Sequence, residues 1–144
     1  MDYRANPARF FALVVGATLV AAGVIGFFYE STFTTNQAVR DGAFGLFDVN
    51  GWHNVVHILT GIVALAMART HAREFALGLG IAYLGVAIWG FIVGDGGSIL
   101  SIIPVNTADN ILHLVVSAAG AAGYALTARR ERAHTARPGS PTTA

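Results

Sequence analysis

One pattern occurs twice in this chain: as Phe-Gly-Leu-Phe-Asp-Val-Asn-Gly-Trp-His-Asn-Val-Val-His-Ile at residues 44–58, and as Leu-Ser-Ile-Ile-Pro-Val-Asn-Thr-Ala-Asp-Asn-Ile-Leu-His-Leu at residues 100–114. Both copies contain Val-Asn, then after two residues His or Asp, then Asn, two aliphatic residues, His and another aliphatic residue. Each copy leads into a long apolar run. Because polar residues are costly inside a membrane, their repetition at the start of two apolar runs requires a structural or functional reason.

The composition is that of a membrane protein. The chain has 144 residues, of which 54% are hydrophobic and 12% charged, whereas soluble domains have about 25% charged residues. Four apolar runs are each about long enough to cross a bilayer as a helix, residues 10–28, 52–68, 75–93 and 108–128. The second run reaches full length only if its first polar turn lies in the headgroup region. We therefore expect an all-α, four-span transmembrane bundle over residues 1–128, followed by a disordered cytoplasmic tail at 129–144.

The positions of the basic residues predict the orientation. All nine are arginines, and eight of them lie on one side of the predicted spans: Arg4, Arg9, Arg69, Arg73, Arg129, Arg130, Arg132 and Arg137. Only Arg40 lies on the other side. By the positive-inside rule, both termini and the loop around Arg69 are cytoplasmic. The first run is too long for the apolar region of a signal peptide, so we expect it to be a retained span of a multi-pass protein of the cytoplasmic membrane. The absence of lysine and the abundance of alanine and arginine are typical of a GC-rich bacterial genome.

The two halves of the chain predict two helical hairpins in tandem. The first helices also align, through the pairs Arg9–Arg73, Ala12–Ala76, Leu13–Leu77, Gly16–Gly80, Gly26–Gly90 and Phe27–Phe91. Each hairpin starts inside, crosses outward and returns, so the repeats have parallel topology around a pseudo-two-fold axis along the membrane normal. Helices two and four are equivalent under this axis, and their polar motifs should therefore meet.

The polar motifs predict a shared site near the outer surface. Asn50 and Asn106 are suited to cap the following helices. His53 and His57 share one helix face, as do Asp109 and His113, because residues four apart lie above one another. If the faces converge, three imidazoles and a carboxylate surround one pocket that suits a divalent transition metal.

Three other interpretations remain open. His57 and His113 could ligate a b-type haem between the helices, and the absence of cysteine excludes thiolate ligands and covalent haem attachment. Alternatively, the histidines form a hydrogen-bonded network with the asparagines that organises the bundle, or they line a proton or solute path. The network residues are Asn50, Asn54, Asn106 and Asn110.

No nucleotide-binding loop, nucleophile elbow or zinc-protease motif is present in the sequence. We therefore favour a non-enzymatic membrane protein whose cluster organises the bundle, with a metal- or haem-binding protein of redox function as the alternative. The expected partners are the lipid bilayer and either further copies of the chain or a larger membrane complex. Nothing in the sequence indicates nucleic-acid binding.

The two polar motifs, at residues 45–61 and 102–113, resemble the hallmark of a family of small bacterial four-helix membrane proteins catalogued as domain of unknown function 4383. The resemblance extends from about Phe10 to Tyr124. It implies the four-span architecture and marks as motif positions His53, Asn54, His57, Asp109, Asn110 and His113. Family members usually have proline or a similar residue where this chain has Gly51-Trp52, a difference that affects the helix start and leaves the histidines unchanged. The family implies no activity, cofactor or partner.

Overall fold

The fold was analysed in a computed structural model, which describes residues 6–35 and 39–136. It is mostly helical, with the helices α1 (Pro7–Tyr29), α2 (Gly51–Met67), α3 (Ala72–Val93) and α4 (Thr107–Thr135). The strands β1 (Val39–Ala43) and β2 (Phe47–Val49) lie between α1 and α2, and β3 (Gly97–Ile99) and β4 (Ile103–Val105) lie between α3 and α4. The predictions for Arg4, Arg137 and the tail beyond residue 136 lie outside the described residues, as do the side chains of Arg40 and Asp41.

Three helices, α1, α3 and α4, are long and apolar enough to cross a membrane. Helix α2 has 17 residues and is about 25 Å long at 1.5 Å per residue, somewhat shorter than the hydrocarbon core of about 30 Å. The segment after α1 covers its start: the Thr32 carbonyl accepts from Gly51 N–H at 2.7 Å, and the Phe33 carbonyl accepts from Trp52 Nε1–H at 3.1 Å. This packing explains why glycine and tryptophan are accommodated at the start of the helix.

The helices pack in sequential pairs, α1 with α2 and α3 with α4, and α1 also contacts α3 and α4. The buried positions of α1 recur in α3 at an offset of 64 residues: Ala8, Phe11, Ala12, Val15, Gly16, Leu19, Gly23 and Gly26 correspond to Ala72, Phe75, Ala76, Leu79, Gly80, Tyr83, Ala87 and Gly90. Small residues predominate in both sets, which allows the helix backbones to approach closely.

The distribution of side chains is the reverse of that in a soluble protein. Phe28 and Ile92 are 85% and 77% exposed, whereas His53 and Asn54 are 2% and 1% exposed. Large contiguous apolar surfaces are uncommon on soluble monomers. The exposed apolar helices therefore indicate a membrane protein, with a polar group of side chains enclosed between the helices.

The structure differs from the sequence prediction in two places. The outer loops, predicted only to lie at the interface or pack on the bundle, form two antiparallel β-hairpins, so the fold is not purely α-helical. Helix α4 continues to Thr135, so residues 129–135 of the predicted disordered tail are helical. The arginines and glutamate in this extension are good helix formers, and Arg73 Nη1 on α3 donates to Glu131 Oε2 on the extension at 2.7 Å.

Candidate functional site

Helices α2 and α4 begin at the predicted asparagine caps. The side-chain oxygen of Asn50 accepts from the backbone N–H of His53 at 2.9 Å, and that of Asn106 accepts from the N–H of Asp109 at 3.0 Å. The Asp109 carboxylate accepts in turn from the N–H of Asn106 at 3.3 Å, which completes a capping box. Both N-cap predictions are confirmed. The caps set the direction in which the histidines of the first two turns project.

The same asparagines connect each helix to the hairpin of the other half of the chain. Asn50 Nδ2 donates to the Ile102 carbonyl at 2.7 Å, and Asn106 Nδ2 donates to the Leu46 carbonyl at 2.9 Å. Leu46 and Ile102 occupy equivalent positions, as the last residue of the turn before the second strand of their respective hairpins. These reciprocal bonds hold the starts of α2 and α4 beside each other.

The two hairpin turns have the same backbone conformation. Phe44 and Gly45 have φ of 58° and 63°, and the equivalent residues Leu100 and Ser101 have φ of 53° and 60°. Two consecutive left-handed residues are typical of a type I′ turn, which matches the twist of the strands. Three of the four residues are not glycine, and each left-handed non-glycine residue costs about 1–2 kcal/mol. The turns hold this conformation while presenting the carbonyls of the following residues to the asparagines.

Asp48 connects the hairpin to both helices, and sequence reasoning missed this role. It is buried, its carbonyl lies 3.0 Å from His53 Nδ1, and its N–H donates to Asp109 Oδ2 at 3.1 Å. Its carboxylate Oδ1 also accepts from Asn106 Nδ2 at 3.2 Å. The sequence signal for this role is an acidic residue in an apolar segment, two positions before the N-cap Asn50.

Three of the predicted site residues form a cluster. One ring nitrogen from each of His53, His57 and His113 lies within 4.8 Å of the others. His53 Nε2 and His57 Nε2 are 3.1 Å apart. His53 and His113 are buried and His57 is half-buried. The twin motifs therefore meet, although they lie on helices that belong to different hairpins.

The Asp48 carbonyl determines the protonation of His53. A carbonyl can only accept a hydrogen bond, so His53 Nδ1 carries the proton and His53 Nε2 has a free lone pair. Histidines that bind metals usually donate their other ring N–H to a carbonyl or carboxylate in this way. Without an ion, His57 Nε2–H donates to His53 Nε2. With an ion, both Nε2 atoms can be ligands.

His113 approaches the cluster from α4. Its ring packs edge-to-face against Tyr83, with centroids 5.0 Å apart at 82°, a contact that the sequence did not reveal. Among the described residues, His113 Nδ1 is a buried atom without a hydrogen-bond partner. Buried polar groups normally have partners, so the unpartnered Nδ1 of His113 is available to a ligand. The contact with Tyr83 holds the ring in place.

The other predicted residues lie beside the cluster. Asp109, predicted as the fourth ligand, is outside this group of ligand atoms, and its Oδ2 accepts from the backbone N–H groups of Asp48 in β2 and of Asn106 at the start of α4. Asn54 Nδ2 donates to the Glu30 carbonyl at 2.8 Å, and its amide packs against Gly26. Asn110 packs in the same way against Gly90. The two asparagines thus join the helices within each hairpin rather than orienting the imidazoles.

The geometry fits a small ion better than a haem. With bonds of about 2.0–2.1 Å, ligand nitrogens around a tetrahedral ion are about 3.3 Å apart, close to the 3.1 Å between the Nε2 atoms of His53 and His57. The same short separation leaves no space for a porphyrin plane over His57 Nε2. This separation therefore argues against haem ligation by His57.

Comparison with known proteins shows one family. The family described as "Domain of unknown function (DUF4383)" matches residues 9–126. This match confirms the family resemblance read from the two motifs and covers all four helices apart from the ends of α1 and α4. No curated protein and no solved structure matches the chain.

Proposed function

This chain belongs to the DUF4383 family, and we propose that it is a four-span membrane protein that binds a divalent transition metal ion. The observation that supports this proposal most strongly is the convergence of one ring nitrogen from each of His53, His57 and His113 within 4.8 Å. Three imidazoles suit zinc, copper, nickel or iron(II), and the fourth position is left for water or another small ligand. The orientation of His53 by the Asp48 carbonyl adds the outer hydrogen bond typical of such sites.

The proposed ion binds helices from both halves of the chain. His53 and His57 are on α2 and His113 is on α4, whereas the main helix contacts are within each hairpin. An ion bound to all three would link the hairpins at the end where the β-strands lie. Because His53 and His113 are nearly inaccessible, the role we propose is binding and stabilisation rather than catalysis.

A metal-free network is the second candidate. His53 and His57 are already at hydrogen-bonding distance, and the Asp48 carbonyl continues the chain of bonds. In this case the histidines organise the bundle together with Asn50 and Asn106. Interhelical hydrogen bonds in membranes contribute about 0.6 kcal/mol each on average.

The proposed architecture is two parallel repeats in the cytoplasmic membrane. Support comes from the matching buried positions of α1 and α3, the reciprocal bonds of Asn50 and Asn106, and the identical turn conformations. The excess of arginine at the end opposite the β-hairpins supports a cytoplasmic location for that end. Reporter fusions test this orientation: a fusion at Arg69 should report from the cytoplasm and one at Phe44 from the outside. The reverse result would contradict the proposal.

Metal analysis of the full-length protein separates the two candidates. The protein should be produced with ample zinc, copper, iron and haem, purified in detergent, and examined by elemental analysis and visible spectroscopy. We expect close to one transition metal ion per chain, together with a loss of thermal stability when a chelator is added. A protein that contains no metal and is indifferent to chelator would leave the metal-free network. A Soret band would reinstate haem.

Histidine variants locate the site. His57→Ala and His113→Ala should each abolish the bound metal, and their combined effect on thermal stability should be smaller than the sum of the two single effects, because both remove the same shared ligand. His71→Ala is the control, since His71 is exposed at the start of α3. It should retain metal and stability. Metal retention in both cluster variants, or strict additivity, would contradict a shared site.

A further inference from the structure

A second polar region lies at the opposite end of the bundle, around a cavity of about 720 Å³. The cavity is formed by the start of α1, the turn between α2 and α3, and the last turns of α4. Its size lies within the range of typical small-molecule sites, about 300–1,000 Å³. The cavity shares no residue with the histidine cluster.

The lining of this cavity is positively charged. Four arginines against two glutamates leave an excess of two positive charges: Arg9, Arg69, Arg73, Arg130, Glu74 and Glu131. The four arginines come from three different parts of the chain, so the fold and not the local sequence collects them. Arg73 is already paired with Glu131 and lies over the Tyr124 ring at 4.8 Å. Of the other arginines that line the cavity, Arg69 and Arg130 are exposed.

Exposed apolar side chains lie close in sequence to residues that line this cavity. Phe10, next to Arg9, is 70% exposed, and Leu126, one turn before Arg130, is 47% exposed. One end of a ligand bound here would contact guanidinium groups, and its other end would lie on apolar helix surface. Arginine is well suited to phosphate because its planar fork can donate two hydrogen bonds to the oxygens.

We propose that this cavity binds the phosphate headgroup of an anionic phospholipid from the cytoplasmic leaflet, with the acyl chains against the exposed apolar surface. Basic pockets between helices on the cytoplasmic side are suited to such headgroups. The inference rests on the membrane placement proposed above but not on the metal. A headgroup in this position would connect α1, α3 and α4 at the end of the bundle that the histidine cluster does not reach.

Native mass spectrometry of the full-length protein in detergent tests the proposal. The probes are phosphatidylglycerol, phosphatidylcholine as the neutral lipid of equal chain length, and inorganic phosphate. We expect phosphatidylglycerol to bind more tightly than phosphatidylcholine and to raise the thermal stability. Equal binding of both lipids would overturn the proposal. Equal stabilisation by inorganic phosphate alone would overturn the assignment to lipid in favour of a soluble phosphate ligand.

Charge-neutralising variants identify the cavity as the site. Arg69→Gln and Arg130→Gln should each weaken phosphatidylglycerol binding by about five-fold, the effect of one basic group at an anionic surface. Arg129→Gln is the matched control, because Arg129 neighbours Arg130 on the same helix and is equally exposed but does not line the cavity. Equal weakening by Arg129→Gln would show non-specific attraction and overturn the proposal.

Reconstitution into nanodiscs separates this inference from the membrane placement. A chain that enters nanodiscs but does not prefer phosphatidylglycerol refutes the lipid site alone. A chain that fails to enter them refutes the four-span placement itself. Circular dichroism of each variant checks that the helices remain folded.

Discussion

Replacing Gly90 by alanine should destabilise this protein, whereas replacing Gly78 in the same helix should not. A Cβ atom at Gly90 would collide with the Oδ1 atom of Asn110 and would lie 2.6 Å from its Cγ atom. Asn110 is 1% exposed, so its amide is enclosed in the bundle and cannot move aside into solvent. A Cβ at Gly78 meets nothing within 4 Å. The two substitutions therefore make the same chemical change in one helix with different surroundings.

The expected magnitudes follow from two opposing effects. Alanine is a better helix former than glycine by about 1 kcal/mol, and this gain applies to both variants. Inserting a methyl group into a closely packed site costs about 1–3 kcal/mol, and the buried contact at Gly90 belongs at the upper end of that range. We expect Gly90→Ala to lower the free energy of unfolding by about 2 kcal/mol, and Gly78→Ala to leave it unchanged or raise it by up to about 1 kcal/mol.

The measurement is the free energy of unfolding in mixed detergent and SDS micelles, with thermal unfolding as a second probe. A further variant, Asn110→Ala, removes the side chain with which the new methyl group collides. The cost of Gly90→Ala should be much smaller in the Asn110→Ala background, because the two changes act on one contact. If Gly90→Ala is as stable as Gly78→Ala, or if its cost is unchanged without the Asn110 side chain, the described packing of α3 on α4 is wrong.

Three further predictions concern the hairpins and the opposite end of the bundle. Ser101→Gly should stabilise the protein by about 1 kcal/mol, because glycine adopts the left-handed conformation without the steric cost that serine bears. Gly45→Ser at the equivalent turn position should destabilise the protein by a similar amount. Equal effects of the two changes on the unfolding free energy would contradict this turn assignment. Asn106→Ser keeps a cap acceptor but loses the amide donor to the opposite hairpin, so its unfolding free energy should lie between those of the wild type and Asn106→Ala, which also loses about 1 kcal/mol of capping. If Asn106→Ser is as stable as the wild type, the donor contributes nothing. Glu131→Gln should change the melting temperature little, because its ion pair with Arg73 is exposed and contributes at most about 1 kcal/mol; a large loss would mean that the pair holds α4 on α3.

Much of the architecture follows from the sequence because membrane spans leave a strong local signal. Runs of about 20 apolar residues are sufficient to locate the helices, and the repeated Val-Asn pattern is sufficient to place the caps Asn50 and Asn106. The equivalence of His57 and His113 follows from the same repeat. Each of these inferences depends on short-range periodicity or on the comparison of one half of the chain with the other.

The tertiary structure decided which side chains complete the site. The sequence could not show that Asp48 orients His53 through its carbonyl, because this contact depends on the turn conformation of the preceding hairpin. For the same reason, it placed Asp109 among the ligands, although the backbone N–H groups of Asp48 and Asn106 already occupy its Oδ2 atom. A carboxylate can satisfy a helix terminus or an ion, and only the positions of the surrounding N–H groups determine which. Residues spaced four apart establish a shared helix face, but the contacts across that face are set by how the two hairpins pack.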